Sequence, residues 1–165
     1  MKNFHLNHYE KAFANWLIDN HIRFITVDEQ KWAAMGRFKI KSFDYLLYPS
    51  GKSVIVAEGE GRSFKGTSFE KLSGFECWVM TDDIEGLANW LGTFGANQTA
   101  CFVFAYRIEK VDVDFDGRTV YDFDHAKYIF RGRTGRLSRI YGTAQPEVAY
   151  RYPACEGIPP MCNSD

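Results

Sequence analysis

No run of eighteen apolar residues occurs in the 165-residue chain, so no membrane-spanning helix is expected. The opening MKNFHLNHYEKAF lacks the apolar centre of a secretory signal, which makes the cytoplasm the expected compartment. An excess of one charge is missing too. The 20 Lys and Arg nearly cancel the 21 Asp and Glu, so no global field draws the chain to nucleic acid or a membrane, and any basic footprint is local. Cysteine is sparse: Cys77, Cys101, Cys155 and Cys162 contain no Cys-x-x-Cys pair, which argues against a zinc ribbon or a redox pair and leads us to expect inert, reduced thiols. Internal repeats, linkers and low-complexity segments are absent as well.

What is present suits one globular domain. Hydrophobic residues make up 45% of the chain and charged residues 25%, while the aromatic share of 16% is high. A chain of this length buries roughly two thirds of its unfolded surface. We expect one mixed α/β domain over residues 1–150 and a tail over 151–165, where Pro159-Pro160 falls.

Apolar residues at helical spacing (Tyr9, Ala12, Phe13, Trp16, Leu17) predict a helix over 8–20 with Asn7 as N-cap. IRFITVD reads as a strand and EQKWAAM as a short helix ended by Gly36. Two strands follow, about 43–48 and 54–60, joined by a turn at Pro49 and Gly51. A second long helix begins at an Asp82-x-x-Glu85 capping box, carries Ile84, Leu87, Trp90 and Leu91 on one face, and stops at Gly95. The apolar run ACFVFAYRI is expected to be a strand covered on both faces. VDVDFDGRTVYDF predicts a turn at Asp116-Gly117, and YIFRGRTGRLSRIYG predicts two strands around a Gly-rich basic turn.

In the hairpin, regular alternation puts Leu46 opposite Val56 and Asp44 opposite Glu58, with Glu60 on that same side. Opposed positions hold their Cβ atoms about 4.5–5.5 Å apart, so Asp44 and Glu58 would repel unless a cation lay between them. Hard oxygen ligands with room for water and phosphate suit Mg²⁺ or Mn²⁺. Gly59 and Gly61 flank Glu60 and mark a place of close approach, and Arg62 and Lys65 stand just beyond, suited to phosphate.

These residues resemble the PD-(D/E)XK nuclease-like superfamily, whose motif is an Asp on one core strand and an acid-x-Lys on the next, after a helix that often carries a Glu. The resemblance matches Asp44 to the first acid, Glu58 to the second, Glu60 to the Lys position and Glu10 to the helix acid, over about residues 8–107. It implies a restriction-endonuclease-like fold, a central mixed sheet flanked by helices. The implied activity is Mg²⁺- or Mn²⁺-dependent hydrolysis of DNA or RNA. On that reading Asp44 and Glu58 bind metal, Glu60 orients or deprotonates water and Glu10 supports the site. Glu60 departs from the motif. Glu there can accept a proton from water or bind a second metal, and losing the positive charge should raise metal dependence. The wider pattern is also similar to a group of small bacterial proteins of unknown function in which acid-x-Lys-Gly-Arg is usual. The alternative is a nuclease-like scaffold without catalysis that binds nucleic acid or protein.

Other motifs are weaker. Gly51-Lys52-Ser53 lacks the first glycine of a P-loop, since Leu46 stands there, and Gly59-x-Gly61 lacks the third glycine of a dinucleotide fingerprint. Asp112, Asp114, Asp116 and Gly117 fit the start of an EF-hand loop, but its twelfth position is Phe123 and an Asp-Gly turn is the better account. His5 and His8 read as surface histidines. Arg131, Arg133, Arg136 and Arg139 crowd glycines that let a phosphate backbone come close, which makes Arg131 and Arg133 substrate-binding candidates. Trp78, Tyr106, Tyr128 and Tyr141 are expected in the core more than in base stacking. Oligomeric state is left open, with a homodimer among the options.

Overall fold

A computed structural model describes residues 6–27, 41–49, 54–69, 75, 77–94, 98–134 and 150–151. Helix α1 spans His8–Asp19 and starts as its sequence demands. The Asn7 side chain accepts the Tyr9 and Glu10 N–H groups, each at 3.0 Å, and the Glu10 carboxylate accepts the Asn7 N–H at 2.9 Å. This reciprocal cap satisfies helix donors that would otherwise be left open.

Six strands form the main sheet in the order β1-β2-β3-β5-β7-β6. They are β1 (Arg23–Thr26), β2 (Tyr45–Tyr48), β3 (Val54–Phe64), β5 (Gln98–Ile108), β6 (Tyr121–Phe123) and β7 (Ala126–Thr134). Central β3 and β5 run parallel, in register from Val54 opposite Gln98 to Phe64 opposite Ile108, and every other pairing is antiparallel. A parallel pair needs a crossover, and helix α2 (Thr81–Phe94) lies within it. Strands β4 (Trp78–Val79) and β8 (Tyr150–Arg151) pair separately.

The sheet is covered on both sides. One layer packs Phe13 and Leu17 of α1 with Tyr45, Leu47, Ala57 and Val103. The other packs Ile84, Leu87 and Trp90 of α2 with Phe43, Val56, Phe64, Phe102 and Phe104. The expected single α/β domain with a central mixed sheet flanked by helices is what is found, in the expected order of helix, strand, hairpin, helix and buried strand, the last of which proves parallel to β3.

Several local expectations are corrected. Helix α2 starts at Thr81, and Asp83 rather than Glu85 reaches back, accepting the Met80 N–H at 3.0 Å. Strand β7 runs unbroken through Arg131, Gly132 and Arg133, so these residues lie in a strand. The turn at Asp116-Gly117 is present, with φ of 51° and 68°, yet the hairpin into β7 turns at Asp124-His125, with φ of 48° and 60°. Backbone pairing continues to Arg151, one residue into the expected tail. Cys101 is a buried thiol, but Cys77 is disulfide-bonded, which corrects the expectation of a reduced thiol there. The helix expected at EQKWAAM, the turn at Gly51, and the residues Gly95, His5, Arg136, Arg139 and Tyr141 also lie outside the described residues.

Candidate active site

Strand β2 ends at Tyr45, opposite Ala57, whereas β3 runs on to Phe64. Among the described residues no strand pairs with the second half of β3 on that side, which leaves a notch beside β2 with the hairpin acids around it. The register is as expected, with Leu46 opposite Val56. Alternation, however, breaks at Asp44. Phe43 packs edge-on against Trp90 of α2, with ring centroids 5.1 Å apart, while Tyr45 packs against Phe13 of α1 at 5.3 Å. In a regular strand those two residues would share a face. Asp44 sits in the bend between them: its N–H donates to the Ala57 carbonyl at 3.1 Å, and its Oδ2 accepts the Gly59 N–H at 2.7 Å.

Asp44 is thereby turned toward Gly59 and Tyr45, and Glu58 toward the α2 side, which corrects the expectation that both acids point the same way. Asp44 also acts on its neighbour. Burial first, then the charges of Asp44 and Glu10, push the Tyr45 hydroxyl well above the usual phenol range.

Glu58 is buried and meets a partner that the hairpin alone does not reveal. Lys41 Nζ lies 3.8 Å from Glu58 Oε1 and pairs more closely with Asp83, whose side chain is only 4% exposed. Two buried carboxylates thus converge on one ammonium. The main chain at Lys41 is fixed from α2, because Trp90 Nε1 donates to the Lys41 carbonyl at 2.8 Å. Gly86 leaves the room, since a Cβ there would lie 3.1 Å from Lys41 Cβ.

Glu60 forms an ion pair with Arg62 at 2.9 Å. Arg62 also donates to the Gly61 and Trp78 carbonyls at 2.8 and 2.7 Å and lies over the Trp78 ring at 4.3 Å. Both terminal nitrogens of its guanidinium are engaged within the protein, in competition with the phosphate contact expected of Arg62. Glu10 is spent as well: both of its carboxylate oxygens accept from Asn7 in the helix cap. The glycines do mark close approaches, but internal ones. A Cβ at Gly61 would overlap the Tyr9 ring, and one at Gly59 would lie 3.1 Å from Asp44 Oδ2. Lys65 is exposed just past the end of β3.

The third strand adds cations in the same rows. Glu60, Phe104 and Arg131 are in register across β3, β5 and β7, as are Glu58, Phe102 and Arg133. Arg131 is buried, 5% exposed, and lies over the Phe75 ring at 4.6 Å. Tyr106 and Tyr128 are buried in the core, as expected.

Among the described residues no three His, Cys, Asp or Glu side chains gather as a ready metal-ligand set. The donor chemistry still fits Mg²⁺ or Mn²⁺, since such ions are commonly held by one or two carboxylates, with water and substrate phosphates completing the shell. Asp44 and Glu58 border the notch where that would happen. Sequence reasoning missed Lys41 and Asp83. Asp83 stands inside the Asp82-x-x-Glu85 pair and drew no reading of its own, and Lys41 stands in no motif.

Geometry thus defines a mixed α/β domain with a carboxylate and lysine cluster at a notch in its sheet. No protein-family model matches the sequence. No curated protein matches it either. Among solved structures the chain is similar to Hjc, a Holliday junction resolvase from the archaeal hyperthermophile Archaeoglobus fulgidus, with 11% identity, a TM-score of 0.44, and 87% of this chain and 85% of that one covered. At that level no residue role carries over.

Proposed function

We propose that the chain is a nuclease-like domain that hydrolyses phosphodiester bonds of DNA or RNA at the notch beside β3, with Mg²⁺ or Mn²⁺. The observation that carries this reading is the convergence of buried Glu58 and Asp83 on Lys41, next to Asp44. Buried carboxylates are costly unless paired, and a group of them at an open strand edge suits a cationic ligand. Glu58 would hold the ion from the α2 side, and Asp44, turned to the Gly59 N–H in this structure, would have to swing round the bend to join it; the ion, when bound, polarises the phosphate and lowers the pKa of water.

The roles of the protein groups follow from their contacts. Lys41, beside Glu58, supplies the positive charge that the superfamily motif places two residues later and that Glu60 lacks. There it can stabilise charge developing on the phosphate. Glu60, held by Arg62, is oriented to accept a proton from water. Lys65 and Arg133 are assigned to phosphate contact along the strand.

The test is calorimetric titration with Mn²⁺ of the wild type, Asp44→Ala and Glu58→Ala, followed by cleavage assays on single- and double-stranded DNA and RNA. Binding and cleavage that both substitutions abolish are expected. A wild type that neither binds Mn²⁺ nor cuts any substrate would overturn the reading.

One observation favours a second reading. Lys41 already neutralises part of the acid cluster and Arg62 neutralises Glu60, as in a scaffold that binds nucleic acid or protein without catalysis. Its signature is salt-sensitive binding indifferent to Mg²⁺.

A further inference from the structure

The acids of the notch lie on two sides of the sheet. Asp44 is turned to Gly59 and Tyr45, on the α1 side, whereas Glu58 reaches the α2 side, where Lys41 meets it. A second carboxylate on the α2 side comes from the helix itself. Asp83 stands in the first turn of α2, and its side chain is only 4% exposed. Its Oδ2 accepts the Met80 N–H at 3.0 Å, so the start of the helix fixes the direction of the carboxylate without help from the lysine. Its Oδ1 is buried, takes no hydrogen bond of regular geometry among the described residues, and is turned to the Lys41 ammonium.

Lys41 has the properties of an exchangeable cation. Its main chain is pinned, because Trp90 Nε1 donates to its carbonyl at 2.8 Å and Gly86 admits its Cβ. Its side chain is not pinned in the same way. A flexible four-carbon stem carries the charge, and 44% of that side chain is exposed, which leaves an open route for the ammonium to leave and another cation to enter. The pairing is also uneven. Nζ pairs closely with Asp83 but lies 3.8 Å from Glu58 Oε1, beyond hydrogen-bond reach, so one monovalent group is shared by two buried carboxylates without bonding both. A divalent ion brings twice the charge, and Mg²⁺ and Mn²⁺ take carboxylate oxygens as direct ligands, with water filling the remaining positions.

We propose that Asp83 is a ligand of the divalent ion together with Glu58, and that the Lys41 ammonium holds the ion's place in the metal-free protein and leaves when the ion binds. The inference rests on the reading of the notch as a metal site. It adds a ligand on the same side of the sheet as Glu58, and a built-in competitor for the ion. The displaced ammonium, still tethered through its main chain, is then free for the substrate phosphate.

The test is titration calorimetry of the full chain with Mn²⁺ for the wild type, Asp83→Asn and Lys41→Met. It is joined to acetylation of the wild type by an amine-reactive ester, followed at Lys41 by mass spectrometry with and without Mg²⁺. Asp83→Asn keeps an oxygen for the Met80 N–H, and its circular dichroism should match the wild type. Its Mn²⁺ affinity should fall roughly tenfold or more. Removing the competing charge in Lys41→Met should raise that affinity roughly threefold or more. Mg²⁺ should speed acetylation of Lys41 by a similar factor and leave that of the exposed Lys110 unchanged. Wild-type Mn²⁺ affinity in Asp83→Asn, or acetylation of Lys41 that ignores Mg²⁺ in a chain that binds the metal, would overturn this inference and leave the metal reading of the notch standing. A wild type that binds no Mn²⁺ would overturn both.

Discussion

Lys41 shows how much one side chain can decide. Its ammonium answers two carboxylates that the fold buries, Glu58 and Asp83, while 44% of its own side chain stays exposed. Replacing it with Met keeps the stem and removes the charge. The two acids then face each other uncompensated, at a cost of about 1–3 kcal/mol. Lys41→Met should therefore melt lower than wild type without metal, and Mn²⁺ should raise its Tm more than it raises the wild-type Tm. An unchanged Tm without metal would show that the cluster holds no strain for the lysine to relieve. The glycines offer a paired comparison at the same scale. Gly61→Ala pushes a methyl group into the Tyr9 ring and should cost about 1–3 kcal/mol in urea unfolding. Gly92→Ala, on helix α2 with nothing within 4 Å of the new methyl, should instead stabilise by about 0.5–1 kcal/mol.

At the scale of elements, α1 is tied to the far edge of the sheet by ring contacts with β7 and by the Tyr121 hydroxyl of β6 donating to Asp19 at the end of α1, at 2.6 Å. Burial first, then the hydrogen bond and charge of Asp19, push the Tyr121 pKa from 10.0 up to about 12. A raised pKa means folding favours the protonated phenol, so its stabilisation is complete below pH 10 and lost as pH climbs through about 12. The Tm gap between wild type and Tyr121→Phe should be widest below pH 10 and close toward pH 12; a gap constant with pH would show that the bond contributes nothing titratable. Helix α1 was legible because Asn7 is a strong N-cap and the apolar spacing carries the buried face, although Glu10, read as a site acid, closes that cap instead. The hairpin register was legible too, since alternation fixes which residues oppose. Legibility failed at Asp44, where a bend breaks the alternation that the reading assumes. It failed again at the far half of β3, where Arg62 and Ser63 do not look like strand, and at Lys41 with Asp83, a contact between separate elements that no local pattern encodes.

For the molecule as a whole, the layered sheet makes a definite statement about cooperativity. Val56 on β3 is buried in the layer against α2, and Val103 on β5 is buried in the layer against α1. The two strands are neighbours, so the layers share one backbone ladder while their side chains do not meet. Truncating either valine to Ala removes apolar volume from one layer only, at a cost of roughly 2 kcal/mol by the transfer and cavity terms. Sites without shared partners add to within about 0.3–0.5 kcal/mol. The double variant Val56→Ala/Val103→Ala should therefore lose the sum of the two single losses and still unfold in one transition, with urea curves from Trp fluorescence and far-ultraviolet circular dichroism superimposing. If the curves separate, the helices on the two sides of the sheet melt independently and the single-domain description fails. If they coincide but the losses fall well short of additive, the layers communicate through the β3–β5 ladder, and the notch then stands on a backbone that either face can move.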